Sequence, residues 1–242
     1  MRIPRIYSNQ SLTSGSVIEL DESASRHLLK VLRLDIGREL ILFNGEGGEY
    51  TAEITATTKK VATVTLGEFS EENRQSPLNT HLAIGISRGD RFDWVLQKAT
   101  ELGVTQITPL FTERCEVKLK ADRLEKKLES WRQITLSACE QCQRNIPPVF
   151  NNAMSFADFL AQDDSELKLV LHHRSEKTLQ EMSQSLGSVS LLIGPEGGLS
   201  EEEIQQADGK GYEHLTIGPR VFRTETAPIV VLSLLQQQWG DF

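Results

Sequence analysis

Two stretches near the C-terminus combine residue types that bind small molecules. In the first, the apolar run Leu191, Leu192 and Ile193 breaks into Gly194, Pro195, Glu196, Gly197 and Gly198, the pattern of a buried strand emptying into a tight loop. In the second, Leu215, Thr216 and Ile217 run into Gly218 and Pro219, followed by Arg220, Val221, Phe222, Arg223, Thr224 and Glu225. Glycine has no Cβ, so the backbone can come close to a ligand and bond it with its own N–H and C=O groups, which suits an adenine or ribose edge. Either loop alone reads better as a plain turn, because neither G-x-G-x-x-G nor G-x-x-x-x-G-K-[ST] occurs. Two such loops together favour a nucleotide-like ligand.

The elements that must hold these loops are legible in the pattern around them. Ser200 stands three residues before Glu203, the spacing at which a serine hydroxyl and a glutamate satisfy each other's backbone donors at a helix start. From residue 80 onward, strands alternate with helices. Strands are expected at Leu82–Ile86, Val104–Leu110, Leu167–His172 and Val189–Ile193, and helices around Phe92–Leu102, Leu124–Ala138, Phe156–Leu160, Thr178–Ser185 and Ala227–Trp239. That alternation predicts a parallel sheet covered on both faces, with ligands beyond the carboxyl ends of its strands. The first 70 residues read differently. Short strands at Ser16–Leu20, Glu39–Phe43, Tyr50–Thr57 and Val61–Leu66 surround one helix that Asp21 caps and Gly37 follows, which predicts a small β-barrel. The polar segment Ser70–Asn79, with Pro77, is the expected linker.

Composition bounds the function. A hydrophobic content of 38% over 242 residues is ample for real cores. The apolar run Ile229–Leu235 is interrupted by Ser233 and falls short of the ~20 residues that span a bilayer. No apolar segment follows the basic residues of the N-terminus, so the expected location is the cytoplasm. Three cysteines, an odd number, argue against a disulfide framework. Cys139 and Cys142 form a C-x-x-C within an amphipathic pattern, with only Cys115 left to complete a metal site, so no metal is expected. The net charge of −8 argues against a surface coated for nucleic acid, yet residues 1–38 carry six basic side chains against four acidic ones, and 114–132 carry seven against four.

The strings IGPEGGLSEEE and IGPRVFRTETA, together with SRGDRFDWVLQKATELGV at 87–104, TERC at 112–115, ACEQCQRNIPPV at 138–149 and HLLKVLRLDIG at 27–37, resemble the motifs of the ribosomal RNA small subunit methyltransferase E family. These are the 16S rRNA uridine-N3 methyltransferases of the SPOUT superfamily. The resemblance covers nearly the whole chain, with Ile217 where the family pattern leads one to expect leucine. It implies a PUA-like RNA-binding β-barrel over residues 1–72 and an α/β methyltransferase domain over 73–242 whose C-terminal units form a trefoil knot. General chain-threading rules would instead predict an ordinary open sheet.

The resemblance further implies S-adenosylmethionine as methyl donor and 16S rRNA of the small ribosomal subunit as substrate. Leu171, His172, Gly194, Pro195, Gly197, Ile217, Gly218, Val221 and Phe222 would form the cofactor pocket. Arg223 would stabilise negative charge on the uridine, because a guanidinium stays charged and can fork to a carbonyl oxygen or phosphate. Glu225 would act as base or hold Arg223 in place, the alternative being a structural ion pair. Arg2, Arg5, Arg26, Lys30, Arg33, Arg88 and Arg91 are the expected RNA contacts. The apolar final helix and the knotted superfamily together imply a homodimer. Two other readings stay open: ribose 2′-O-methylation of tRNA or rRNA, and a non-catalytic RNA-binding protein that retains the fold.

Overall fold

The computed structural model describes residues 3–117, 120–171, 179 and 186–242. They divide into two compact units, Met1–Gln75 with Cys139–Pro147, and Ser76–Ala138 with Pro148–Phe242.

The first unit contains β1 (Arg5–Tyr7), β2 (Val17–Glu19), α1 (Glu22–Arg26), β3 (Glu39–Phe43), β4 (Glu49–Thr57) and β5 (Ala62–Ser70). The five strands form one sheet in the order β1-β3-β4-β5-β2, antiparallel except for the β1–β3 pair. Alternation along β3 to β5 turns Leu40, Leu42, Ala52, Ile54, Val64 and Leu66 into a core shared with Leu28 and Leu34. Asp21 caps α1 as expected, its carboxylate accepting from Ala24 N at 2.9 Å. The helix does not run on to Gly37, however. It passes into a π-helical turn at His27–Val31, closed by Leu32 N donating to His27 O, and Arg33 then takes φ 54°. Six residues of α-helix would rotate Leu34 about 240° away from Leu28, whereas both are buried in the same core. The wide turn and the left-handed residue bring Leu34 back.

The second unit contains β6 (Asn79–Gly85), α2 (Asp90–Glu101), β7 (Gln106–Phe111), α3 (Ala121–Cys142), β8 (Val149–Phe150), β9 (Met154–Ser155), α4 (Phe156–Gln162), β10 (Leu167–Leu171), β11 (Ser188–Ile193), α5 (Glu201–Asp208), β12 (Glu213–Leu215) and α6 (Thr226–Trp239). The last turn of α3, from Cys139, counts with the first unit. The sheet is wholly parallel, ordered β12-β10-β11-β6-β7-β8 with β9 also on β7. Near-continuous apolar strands such as Leu191, Leu192 and Ile193 are what a sheet covered on both faces requires. One face packs Leu82, Ile84, Leu191 and Ile193 against α2 and α6, and the other packs Ala83, Leu110, Val170 and Leu192 against Phe156 and Phe159. The helix expected at Thr178–Ser185 lies outside the described residues save Leu179. Among the described residues no helix is long and apolar enough to cross a membrane.

Candidate functional site

The site lies where β10, β11 and β12 end side by side. Ile193 and Leu215 each close a strand of the same sheet, and Leu171 closes the strand between them. Beyond them the chain folds into the two glycine loops, which together enclose a cavity of about 350 Å³. Leu171, Ile193, Leu215, Ile217, Phe222 and Ala227 supply apolar walls, and Gly194, Pro195, Glu196, Gly198 and Thr216–Val221 line the rest.

Glycine is needed in these loops for reasons that differ by position. A Cβ on Gly194 would lie 2.7 Å from Gly198 C and 2.8 Å from Leu199 N, so the loop can fold back on itself only without one. Gly198 and Gly218 have φ 69° and 61°, the left-handed region that L side chains rarely enter. Gly85, at the end of β6, lets the first loop approach the sheet, since a Cβ there would sit 2.5 Å from Pro195 N. The first loop is pinned by Gly198 N donating to Pro195 O at 2.8 Å. It leads into α5, whose start is the expected capping box: Ser200 Oγ accepts from Glu203 N, and Glu203 Oε2 accepts from Ser200 N. Glu203 also uses its other oxygen to accept from Glu113 N at 2.8 Å, tying the helix to the exit of β7.

The second loop is different. Between described residues no hydrogen bond engages the backbone of Ile217 through Phe222. Gly218 to Val221 are exposed, so their backbone groups are open to water or to a ligand, and they line a cavity whose apolar walls suit a flat heteroaromatic ring. An adenosine-bearing cofactor fits such a donor set. Among the described residues no cluster of histidine, cysteine and carboxylates could hold a metal ion.

Of the residues expected to bind cofactor, Leu171, Gly194, Pro195, Ile217, Gly218, Val221 and Phe222 all line this cavity, Val221 while 82% exposed at its mouth. Gly197 does not. A Cβ on it would meet Arg114 Cβ at 3.0 Å, and its carbonyl accepts from Arg114 Nη1 at 3.1 Å, so its smallness accommodates that arginine. His172 lies outside the described residues.

Arg223 is exposed just past Phe222, and between described residues no hydrogen bond or ion pair holds its guanidinium. Its carbonyl accepts from Thr226 N and Ala227 N, so the backbone is fixed by the start of α6 while the side chain is left unengaged. Glu225 does not hold Arg223. Its carboxylate lies 4.0 Å from Arg91 Nε, and Arg91 Nη1 lies 3.6 Å from Glu196 Oε1. Glu196 also accepts from Arg88 N at 3.0 Å. The start of α2 thus ties the first loop to the start of α6 through Glu196, Arg91 and Glu225. Glu196 carried no signal in the sequence, because a lone glutamate in a glycine loop reads as solvated.

The expected RNA contacts fare unequally. Arg26, Lys30 and Arg33 are exposed, and Arg88 pairs with Glu116 at 2.8 Å while remaining largely exposed. Arg2 lies outside the described residues. Arg5 is a correction. It is only 9% exposed, pairs with Glu49 at 2.6 Å, donates to Asn145 Oδ1 and lies over the Phe43 ring. Burial pushes the Glu49 carboxyl up, but the hydrogen bond and charge of Arg5, with the hydrogen bond of Asn145 and the charge of Arg74, together outweigh it and hold the group below its ordinary value. Arg5 is committed to that network and is not available to a phosphate. Cys139 is fully buried, and burial pushes its thiol up to about 12, so it carries negligible thiolate at neutral pH.

Comparison with known proteins assigns this architecture. Residues 74–236 match the RNA methyltransferase domain family and residues 20–67 the RNA methyltransferase PUA domain family. The fold and the cavity are those of an RNA methyltransferase with a PUA-like N-terminal domain. Ribosomal RNA small subunit methyltransferase E of Buchnera aphidicola from Schizaphis graminum is 35% identical over 99% of this chain and 98% of its own length. The Bacillus subtilis protein of that name is 30% identical over 96% and 94%. The chain belongs to the ribosomal RNA small subunit methyltransferase E family. Two solved structures match along the full length of both chains: a Legionella pneumophila methyltransferase with bound cofactor SAM, at 44% identity and a TM-score of 0.98, and the Neisseria gonorrhoeae family member bound to S-adenosyl methionine, at 38% and 0.93.

Proposed function

We propose that the protein transfers a methyl group from S-adenosylmethionine to N3 of a uridine in 16S rRNA of the small ribosomal subunit. The observation that carries this is the second loop: Ile217 to Phe222 line an apolar-walled cavity of about 350 Å³ without hydrogen bonds from their backbone to other described residues, and the exposed guanidinium of Arg223, with no partner among the described residues, lies directly beyond. The cofactor supplies an electrophilic methyl on a sulfonium. Uridine N3 carries a hydrogen at neutral pH, so forming the N–C bond requires that proton to leave while negative charge develops over the ring carbonyls. Arg223 is the group on this chain suited to meet that charge, since it is exposed, always cationic and held at its backbone. Of the roles open to Glu225, the 4.0 Å contact with Arg91 supports the structural ion pair rather than the orienting of Arg223. The base must be unstacked or single-stranded to present its N3 edge.

The same reading places RNA binding in residues 1–72 and methyl transfer in 73–242, with the C-terminal βα units tied in a trefoil knot and the enzyme working in the cytoplasm. It also gives a homodimer, supported by Ile229 and Val230 on α6, which the core leaves only partly buried. The test is methylation of 16S rRNA and of small subunits with methyl-labelled cofactor, in chelator, followed by digestion to nucleosides. N3-methyluridine is the expected product, with no loss of yield in chelator. A 2′-O-methylated nucleoside, or no transfer to either substrate by protein that binds the cofactor, refutes the proposal.

A further inference from the structure

We infer that α1 and the Thr58–Val61 turn form the two walls of a cationic groove that grips the RNA sugar-phosphate backbone, with Lys59 and Lys60 as phosphate contacts beside Arg26 and Lys30. This rests on the RNA methyltransferase reading above. A cleft of about 170 Å³ in the first unit is lined by Arg26, Leu29 and Lys30 from the helical side and by Lys59 and Lys60 from the turn, with Glu22 the one acid. All four cations are exposed, and between described residues none of their side chains has a hydrogen bond or ion pair. On a chain of net charge −8, four cations gathered around one cleft against the single acid Glu22 make a local positive site suited to an anion.

The walls are fixed before any ligand arrives. Ser25, fully buried in α1, donates to Leu20 O at 3.0 Å and accepts from Ala62 N at 3.1 Å, locking the helix to the start of β5, two residues from Lys60. The turn is closed by Thr58 N donating to Val61 O at 2.8 Å, while Thr58 Oγ1 accepts from Val61 N at 2.9 Å and Lys60 N at 3.3 Å. A preformed groove spares the ordering cost of closing two loops on a ligand. RNA offers phosphates in succession, which cations on two separate elements can engage together. Lysine is a point charge without a fork, so these contacts position the RNA without reading its sequence.

The experiment measures binding of a 16S rRNA transcript across a salt series for the wild type, Lys59→Ala/Lys60→Ala and Lys59→Arg/Lys60→Arg, with thermal unfolding and calorimetric S-adenosylmethionine binding as checks on fold and cofactor site. Each lost phosphate contact flattens the slope of log K against log salt by about 0.7 to 0.9. The alanine pair is therefore expected to flatten it by about 1.4 to 1.8, and the arginine pair to keep the wild-type slope. An alanine pair with wild-type slope, or an arginine pair as flat as the alanine one, overturns the groove. Methyl transfer by the wild type to the same transcript and to assembled subunits reports separately on the function. If the wild type transfers methyl and the alanine slope is unchanged, the groove alone is wrong. If it transfers none and the slope flattens, the proposed reaction is wrong and the groove stands.

Discussion

Substituting Gly85 by alanine tests whether the first loop is pressed against the sheet as the geometry requires. The new methyl would lie 2.5 Å from Pro195 N, 2.6 Å from Pro195 Cδ and 3.1 Å from Gly194 C. Ordinary contact needs ~3.5 Å or more, so something must move by about 1 Å. β6 cannot give, because it is hydrogen-bonded between β11 and β7, and the loop is therefore the part that shifts. Overpacking of this kind costs about 1 to 3 kcal/mol. Since Gly194 and Pro195 line the cavity, the displacement should appear as a loss of cofactor affinity of roughly 5- to 150-fold, or, where the loop resists, as a fall in Tm of about 2 to 4 °C per kcal/mol. Calorimetry with S-adenosylmethionine and thermal unfolding would be run on the wild type, Gly85→Ala and a control, Gly209→Ala. The control methyl meets nothing closer than 3.5 Å, so both readouts should hold there. If Gly85→Ala also keeps both, the close approach of the loop to β6 is wrong.

Arg223→Ala should lower kcat ~100- to 1,000-fold, as for loss of one oriented transition-state donor, with cofactor Kd within twofold. Arg223→Lys should rescue poorly, and a variant that loses cofactor binding while keeping kcat would place Arg223 in the cofactor site instead. His81 is held down to about 4 by burial, with Asp163 and Asp164 opposing. Its Nε2 lies 2.7 Å from Thr108 Oγ1, a hydroxyl that also accepts from Asn151 Nδ2. Below about pH 6.5 the unfolded chain takes up a proton that the folded one refuses. Stability should therefore fall between about pH 6.5 and 4, by roughly 3 kcal/mol. Urea unfolding across that range should show His81→Gln with a shallower dependence, and identical profiles would refute the assignment. Gln236 is fully buried, accepting from Ser76 Oγ at 2.6 Å and donating to Leu102 O at 3.0 Å. Gln236→Leu leaves the Ser76 hydroxyl hydrogen and the Leu102 carbonyl unmet and should cost about 2 to 4 kcal/mol, and Ser76→Ala should not restore it, because Ser76 Oγ also accepts from Leu78 N at 3.2 Å. A midpoint in urea equal to the wild type's would show that the pair carries no such weight.

Several local features of this protein were legible in its sequence alone. Leu191 to Gly198 announced a strand ending in a glycine loop, Leu215 to Ile217 a second, which in fact spans Glu213–Leu215 and ends two residues earlier, Ser200 and Glu203 a capping box, and Phe92, Val95, Leu96 and Ala99 the buried stripe of α2. Each depends on neighbours a few residues apart, which periodicity and turn chemistry report directly. Three-residue strands such as β1 are too short to show a period. What tertiary structure alone decided depends on residues far apart in the chain. Arg5 reads as one more surface cation, and it is buried because Glu49 and Asn145, 44 and 140 residues away, come to meet it. Cys139–Pro147 joins the first unit although no composition change inside α3 marks a boundary. Gly85 is needed only because Pro195 passes 110 residues later, and Glu225 turns to Arg91 rather than to its sequence neighbour Arg223. Pattern along a chain records the period of burial, whereas the partner of a charge and the space beside a glycine are set only when distant strands are brought into register.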